Sequence, residues 1–170
     1  MIPNIISFSR IFLIFPIIFF ILIGEMYISL ALFLLGCLTD YFDGLVSRIY
    51  NQESIFGANL DLLADKIFVC CLMIFLSFHF DNFILMISSL LIISRELSIG
   101  ALRQYYFSIN LIKKSKVNFI GKVKTFLQMI SIGSAILFLE TDFQIFIEIF
   151  ILLTVFFSWL SFFNYIYAKD

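Results

Sequence analysis

Asp40-Tyr-Phe-Asp43-Gly44-Leu-Val-Ser47-Arg48, followed after eight residues by Gly57-Ala-Asn-Leu-Asp61-Leu-Leu-Ala-Asp65, sets four carboxylates into segments otherwise apolar enough to cross a membrane. Each carboxylate in a hydrocarbon setting costs roughly 2.5 to 3.5 kcal/mol even on a lenient insertion scale, and four together also repel one another. The spacing shows how that cost can be met. Asp40 and Asp43 are three apart and Asp61 and Asp65 four apart, so on helices each pair projects from one face. Two helices can then present all four to a common point.

Hard divalent cations hold such oxygen ligands together, and Mg²⁺ or Mn²⁺ takes a few carboxylates, keeps several waters and completes its coordination with phosphate oxygens. Gly44 and Gly57 flank the acids, and a residue without Cβ lets a ligand approach the backbone. Arg48 adds a guanidinium fork that fits a phosphate. Carboxylates, metal, glycines and one arginine describe a site for a diphosphate. A channel lining or a proton relay in a small cation transporter would also use intramembrane carboxylates, but neither calls for these glycines and Arg48 at these intervals.

The whole chain fits that setting. Its 170 residues are 62% hydrophobic and 14% charged, with a mean hydropathy of +1.09, whereas an ordinary soluble domain is about half apolar. The expectation is an all-α integral membrane protein, one domain over residues 1–170. A net charge of -1 gives no electrostatic basis for binding nucleic acid. Cys37, Cys70 and Cys71 fall in apolar spans without metal-ligand spacing and read as small core residues, with no disulfide expected. No basic region precedes the first apolar run and no small-residue cleavage site follows it, so no removable signal peptide is expected.

A crossing needs about 20 apolar residues, and the chain offers six. The first opens at Pro3-Asn4, with Asn4 as its cap, and ends near Ile23; the second runs from about Tyr27 to Arg48. A polar connection at Tyr50 to Ser54 leads to a third from about Ala58 to Phe78. His79 follows as an interfacial surface residue. The fourth covers about Phe83 to Tyr106, the fifth opens at Gly121 and ends near Leu139, and the sixth covers about Phe143 to Tyr167. Both acid pairs thus reach the same side. Of the 11 Lys and Arg, none lies in the turns at 24–26, 79–82 and 140–142, which hold Glu25, Asp81, Glu140 and Asp142. The positive-inside rule then puts both termini and the acidic cluster in the cytoplasm.

A second constellation lies on the same side. Glu96 and Arg103 are seven apart and share a helix face; Gly121, Lys124, Thr125 and Gln128 share another by the i, i+3, i+4, i+7 rule, with Lys122 beside them. Penetrating cations, Arg95 among them, suit a negatively charged molecule such as a sugar-alcohol phosphate. Neutral serine or inositol would not call for so many. Lys113, Lys114 and Lys116 read equally well as an anchor for anionic membrane lipid.

The pattern Asp-x-x-Asp-Gly-x-x-Ala-Arg-x8-Gly-x3-Asp-x3-Asp marks the CDP-alcohol phosphatidyltransferases, and this chain resembles that family at Asp40, Asp43, Gly44, Arg48, Gly57, Asp61 and Asp65. Ser47 stands where the family usually has Ala. The runs Ile93-Ser-Arg95-Glu96-Leu97, Ala101-Leu-Arg103 and Gly121-Lys122-Val-Lys124-Thr125-x-x-Gln128, with the opening Pro3-Asn4 and Arg10, look like those of its bacterial phosphatidylglycerophosphate synthases. The resemblance implies six transmembrane helices in the cell (inner) membrane, a homodimer, and two Mg²⁺ or Mn²⁺ ions held by Asp40, Asp43, Asp61 and Asp65. It also implies transfer of a phosphatidyl group from CDP-diacylglycerol to sn-glycerol 3-phosphate with release of CMP. In those terms Gly44, Arg48 and Gly57 bind the CDP moiety, Asp65 is the general base, and Arg95, Arg103, Lys122 and Lys124 form the glycerol 3-phosphate pocket. Serine, inositol or phosphatidylglycerol as acceptor stays open within the family.

Overall fold

Six helices and their short connections make up the described residues of the computed structural model, which are 2–50, 55–108 and 119–167; side chains are described over 8–39, 63–106, 108, 121 and 123–167. The helices are α1 (Ile2–Leu22), α2 (Met26–Tyr50), α3 (Ile55–His79), α4 (Phe83–Ser108), α5 (Phe119–Phe138) and α6 (Gln144–Tyr167). Each coincides with an expected apolar segment, with ends shifted by at most three residues. One shift matters: α1 begins at Ile2, so Asn4 lies inside the first turn and is not its cap. The polar connection shrinks too, because α2 continues to Tyr50 and α3 begins at Ile55.

Two residues with positive φ make the tight reversals. Gly24, at φ 82°, turns α1 into α2, and Asp81, at φ 46°, turns α3 into α4; glycine and aspartate are among the residues that tolerate this region. Cross-helix contacts then mirror about each connection, as antiparallel packing requires. Ser29 Oγ donates to Ile17 O, Phe33 stacks on Phe68, Ser89 Oγ donates to Met73 O, and Ser131 meets Thr154. The helices therefore alternate in direction. α1 packs on α2 and α3, α4 on α3 and α6, and α5 on α2, α3 and α6.

The distribution of side chains is that of a membrane protein. Phe12 and Phe15 on α1, Phe78 on α3 and Phe146 on α6 are 60% or more exposed, while Arg10, Arg95, Glu96 and Lys124 are 9% or less. In water this arrangement would be unfavourable on both counts; in lipid the apolar exterior needs no cover and the charges must turn inward. Serine and threonine hydroxyls inside the helices bond to carbonyls three or four residues back, as Ser77 does to Ile74 and Ser98 to Ser94, which satisfies them without water. By length and apolarity α4 and α6 are each able to span a bilayer, and the parts of α1, α2 and α5 with described side chains are apolar stretches, Phe8–Leu22, Met26–Thr39 and Val123–Phe138.

The cysteines do not share one environment. Cys37 is half-buried with Sγ 3.6 Å from Met129 Sδ, Cys70 is half-buried, and Cys71 is exposed. Cys71 thus departs from the core placement expected of it, because consecutive helix positions cannot face one core together. His79 is half-buried at the end of α3, its ring stacked on Phe75 at 5.5 Å.

Candidate active site

Asp65 is the one member of the four-carboxylate motif whose side chain is described, and a residue from another helix secures it. Arg10 Nη1 donates to Asp65 Oδ1 at 2.8 Å. Arg10 is the only charged residue of α1 and is 1% exposed, whereas the Asp65 side chain keeps 30% of its surface open. Asp65 sits on the wall of a cavity of about 210 Å³ that α3, α4, α5 and α6 enclose.

Four cations share that wall: Lys66, Arg95, Arg103 and Lys124, with Glu96 as the second carboxylate. Their spacing explains the convergence. Arg95, Glu96, Ile99 and Arg103 recur at helical intervals along α4, and Gly121, Lys124, Thr125 and Gln128 do so along α5; every one of these lines the cavity. The two faces, assigned from the sequence to one pocket, line one cavity. Counted over the described lining residues, four cations against two carboxylates leave two positive charges. That balance matches a phosphate monoester, which carries about -1.5 to -2 at neutral pH.

The cations are held differently. Arg95 is anchored in place: Nε donates to Ser158 O at 3.1 Å, Nη2 to Ser161 Oγ at 2.9 Å, and Nη1 to Glu96 Oε1 at 3.0 Å. Glu96 Oε1 also takes the ammonium of Lys124. A buried carboxylate between two buried cations meets the requirement that charges removed from water be paired. Lys66 Nζ reaches across to Glu96 O at 3.2 Å. It can do so because Gly100 has no Cβ, which would otherwise lie 2.5 Å from that nitrogen.

Three contributions were not assigned to the site from sequence: Arg10, Lys66 and the polar face of α6. Arg10 had a signal, since a lone charge in a 21-residue apolar helix needs a partner. The α6 contribution also had one, weaker: Thr154, Ser158, Ser161 and Tyr165 recur at intervals of four, three and four among phenylalanines and leucines, a polar stripe on one helix face. Asp40, Asp43, Gly44 and Arg48 belong to the last turns of α2 and Gly57 and Asp61 to the first turns of α3. Their side chains, and that of Lys122 on α5, lie outside the described residues, as do Lys113, Lys114 and Lys116 altogether. The alternating helix directions bring the α2 and α3 acids to the end of the bundle that holds the cavity.

Asp65 is a donor of the kind a hard divalent cation takes. Among the described residues no three His, Cys, Asp or Glu side chains gather. Asp65 offers hard carboxylate oxygen toward the cavity, and the described lining contains no soft thiolate or imidazole that would favour another metal.

Comparison with known proteins agrees with this geometry. Residues 1–162 match the family described as CDP-alcohol phosphatidyltransferase. A protein of Wigglesworthia glossinidia brevipalpis is 42% identical over 106 residues, covering 62% of this chain and 58% of that protein, so the match spans less than two thirds of that relative. Relatives from Salmonella paratyphi A and Escherichia coli K12 are 33% and 34% identical over 135 residues, 78% of this chain and 74% of each of theirs. All three are named CDP-diacylglycerol–glycerol-3-phosphate 3-phosphatidyltransferase.

Proposed function

This chain belongs to the CDP-alcohol phosphatidyltransferase family, and from that premise we propose that it transfers the phosphatidyl group of CDP-diacylglycerol to sn-glycerol 3-phosphate. The products are phosphatidylglycerophosphate and CMP. The observation that carries the choice of acceptor is the cavity beside Asp65, where Lys66, Arg95, Arg103 and Lys124 outnumber the described carboxylates. A phosphorylated acceptor supplies a counterion to that excess, counted over the described residues, and a neutral one does not.

In this reading the chain's residues divide the work. Asp40, Asp43, Asp61 and Asp65 hold two Mg²⁺ or Mn²⁺ ions, which when bound supply charge neutralisation to the diphosphate and the departing CMP. Gly44 and Gly57 allow close approach of the cytidine nucleotide, and Arg48 pairs with its diphosphate. Arg103, Lys122 and Lys124 bind the acceptor's phosphate, and Arg95 adds its charge while fastening Glu96 in register. Asp65, held by Arg10, accepts the proton from the acceptor's terminal hydroxyl. The freed oxygen attacks the phosphorus that bears diacylglycerol, its new P–O bond replacing the one to CMP, which leaves with the electron pair.

The setting of the reaction is part of the proposal. The chain forms a single domain with six crossings of the cell (inner) membrane, both termini and the site facing the cytoplasm, and works as a homodimer. The exposed phenylalanines support lipid contact, and the absence of Lys and Arg from the three opposite turns supports the orientation. The test is purified protein in vesicles with CDP-diacylglycerol, Mg²⁺ and a panel of polar acceptors, with lipid products identified by mass. Phosphatidylglycerophosphate is the expected product. A product formed with serine, inositol or phosphatidylglycerol and not with glycerol 3-phosphate would overturn the acceptor assignment, and no CMP release with any acceptor would overturn the activity.

A further inference from the structure

Gln128 lies on α5 one turn beyond Lys124, lines the cavity and is 3% exposed, yet its Nε2 meets no hydrogen-bond acceptor. A buried amide N–H left unpaired is unfavourable, and nearly all such groups in folded proteins have a partner. The surrounding wall does not provide one. Thr125 Oγ1 is engaged as a donor to Gly121 O at 2.9 Å, Ser161 Oγ faces Arg95 Nη2 at 2.9 Å, and the oxygen Oε1 of Glu96 is shared by Arg95 and Lys124. None of the other polar groups on the wall, Asp65 and Tyr165 among them, reaches Gln128 Nε2, and the cations only donate. The cavity therefore holds a donor that is complete only when a ligand brings an oxygen to it.

Resting on the reading that the cavity takes a phosphorylated polyol, we propose that Gln128 Nε2 donates to the acceptor's C2 hydroxyl oxygen and selects acceptors that carry it. Lys66, Arg103 and Lys124 already supply charge for the phosphate, and a neutral amide beside them suits a neutral oxygen. A site built to hydrogen-bond a substrate hydroxyl discriminates strongly against the analogue lacking it, because its buried donor is then left unpaired. Gln128 would thus separate sn-glycerol 3-phosphate from a phosphate ester of equal length and charge.

The experiment compares CMP release with sn-glycerol 3-phosphate and with 3-hydroxypropyl phosphate, which lacks the C2 hydroxyl, for the unsubstituted protein, Gln128→Leu and Gln128→Met in vesicles with CDP-diacylglycerol and Mg²⁺. The unsubstituted protein should prefer glycerol 3-phosphate in kcat/KM by about tenfold. Each variant should lose that preference by slowing on glycerol 3-phosphate while staying within about twofold on the deoxy acceptor. The deoxy rate also reports folding, so if Gln128→Leu is inactive on both acceptors, Gln128→Met decides. Equal slowing on both acceptors by Gln128→Met, or a retained preference in an active variant, overturns the assignment. Absence of CMP release from the unsubstituted protein with either acceptor overturns the proposed function itself, which is a different failure.

Discussion

Two buried amides at opposite ends of the bundle are treated in opposite ways. At the turn from α3 to α4, Asn82 is 8% exposed and both halves of its amide are engaged. Oδ1 accepts from Leu85 N at 2.9 Å, and Nδ2 donates to Glu148 of α6 at 2.7 Å; Glu148 also takes Gln144 Nε2 at 2.9 Å. At the other end Gln128 is buried more deeply and its Nε2 stays without an acceptor. The first cluster closes on itself and fastens α6 to the α3–α4 turn. The second surrounds a cavity of about 210 Å³ and is completed from outside. For these two amides, complete pairing goes with support between helices, and the unpaired donor goes with the cavity wall.

The sharpest way to break that contrast is at Asp65. Asp65→Asn keeps the shape but removes the proton acceptor and one metal ligand, so CMP release per folded molecule should fall at least about a thousandfold, and the melting temperature should fall too because buried Arg10 loses its countercharge. Activity near normal would remove Asp65 from the chemistry and leave the cavity without its reacting edge. Next in size are the cations. Lys124→Ala or Arg103→Ala removes a charge-assisted contact worth roughly 1.5 to 3 kcal/mol, so KM for glycerol 3-phosphate should rise about ten- to a hundredfold. KM for CDP-diacylglycerol should change far less. Equal rises for the two substrates would dissolve the division between nucleotide and acceptor regions.

How far the sequence disclosed this contrast depends on the kind of residue. Periodicity alone located six helices, because phenylalanine, isoleucine and leucine fill them so densely that only the charged and turn residues interrupt. It also put Glu96 with Arg103, and Lys124 with Gln128, on common faces, and both faces line the cavity. Their convergence in one pocket came from the family resemblance, since it depends on α4 and α5 both reaching α3 and α6, and no local pattern encodes such packing. Arg10 was visible as a lone charge but had no sequence neighbour to name its partner, which is 55 residues away. Ser158 and Ser161 were hidden for a different reason. Ser158 acts on Arg95 through its backbone carbonyl, a group every residue has.

The supporting end should respond in stability and not in substrate preference. Asn82→Ala removes the helix cap on Leu85 and the donor to Glu148 together, so it should cost about 1 to 3 kcal/mol. Thermal unfolding in detergent checks the loss, with kcat/KM for glycerol 3-phosphate unchanged in the folded fraction. A selective rise in KM for the acceptor would show that the two ends are coupled and that the contrast is one of degree.

The smallest effect tests the region between them. Ser131 of α5 and Thr154 of α6 meet at 2.7 Å, and each hydroxyl is also within reach of a carbonyl four residues back, at Leu127 and Phe150. Each hydroxyl has one hydrogen, so the one that donates between the helices gives up its own carbonyl, and the contact is an exchange of partners. Hydrogen bonds between membrane helices couple by only about 0.6 kcal/mol on average for the same reason, since the separated helices find other partners. A double-mutant cycle with Ser131→Ala and Thr154→Val, read by unfolding, should give coupling of about that size. Coupling of about 2 kcal/mol or more would mean that the back-bonds do not compensate. Complete pairing would then be a stronger fastening than the carbonyl contacts allow, and the support seen at Asn82 would extend along α5 and α6 toward the cavity.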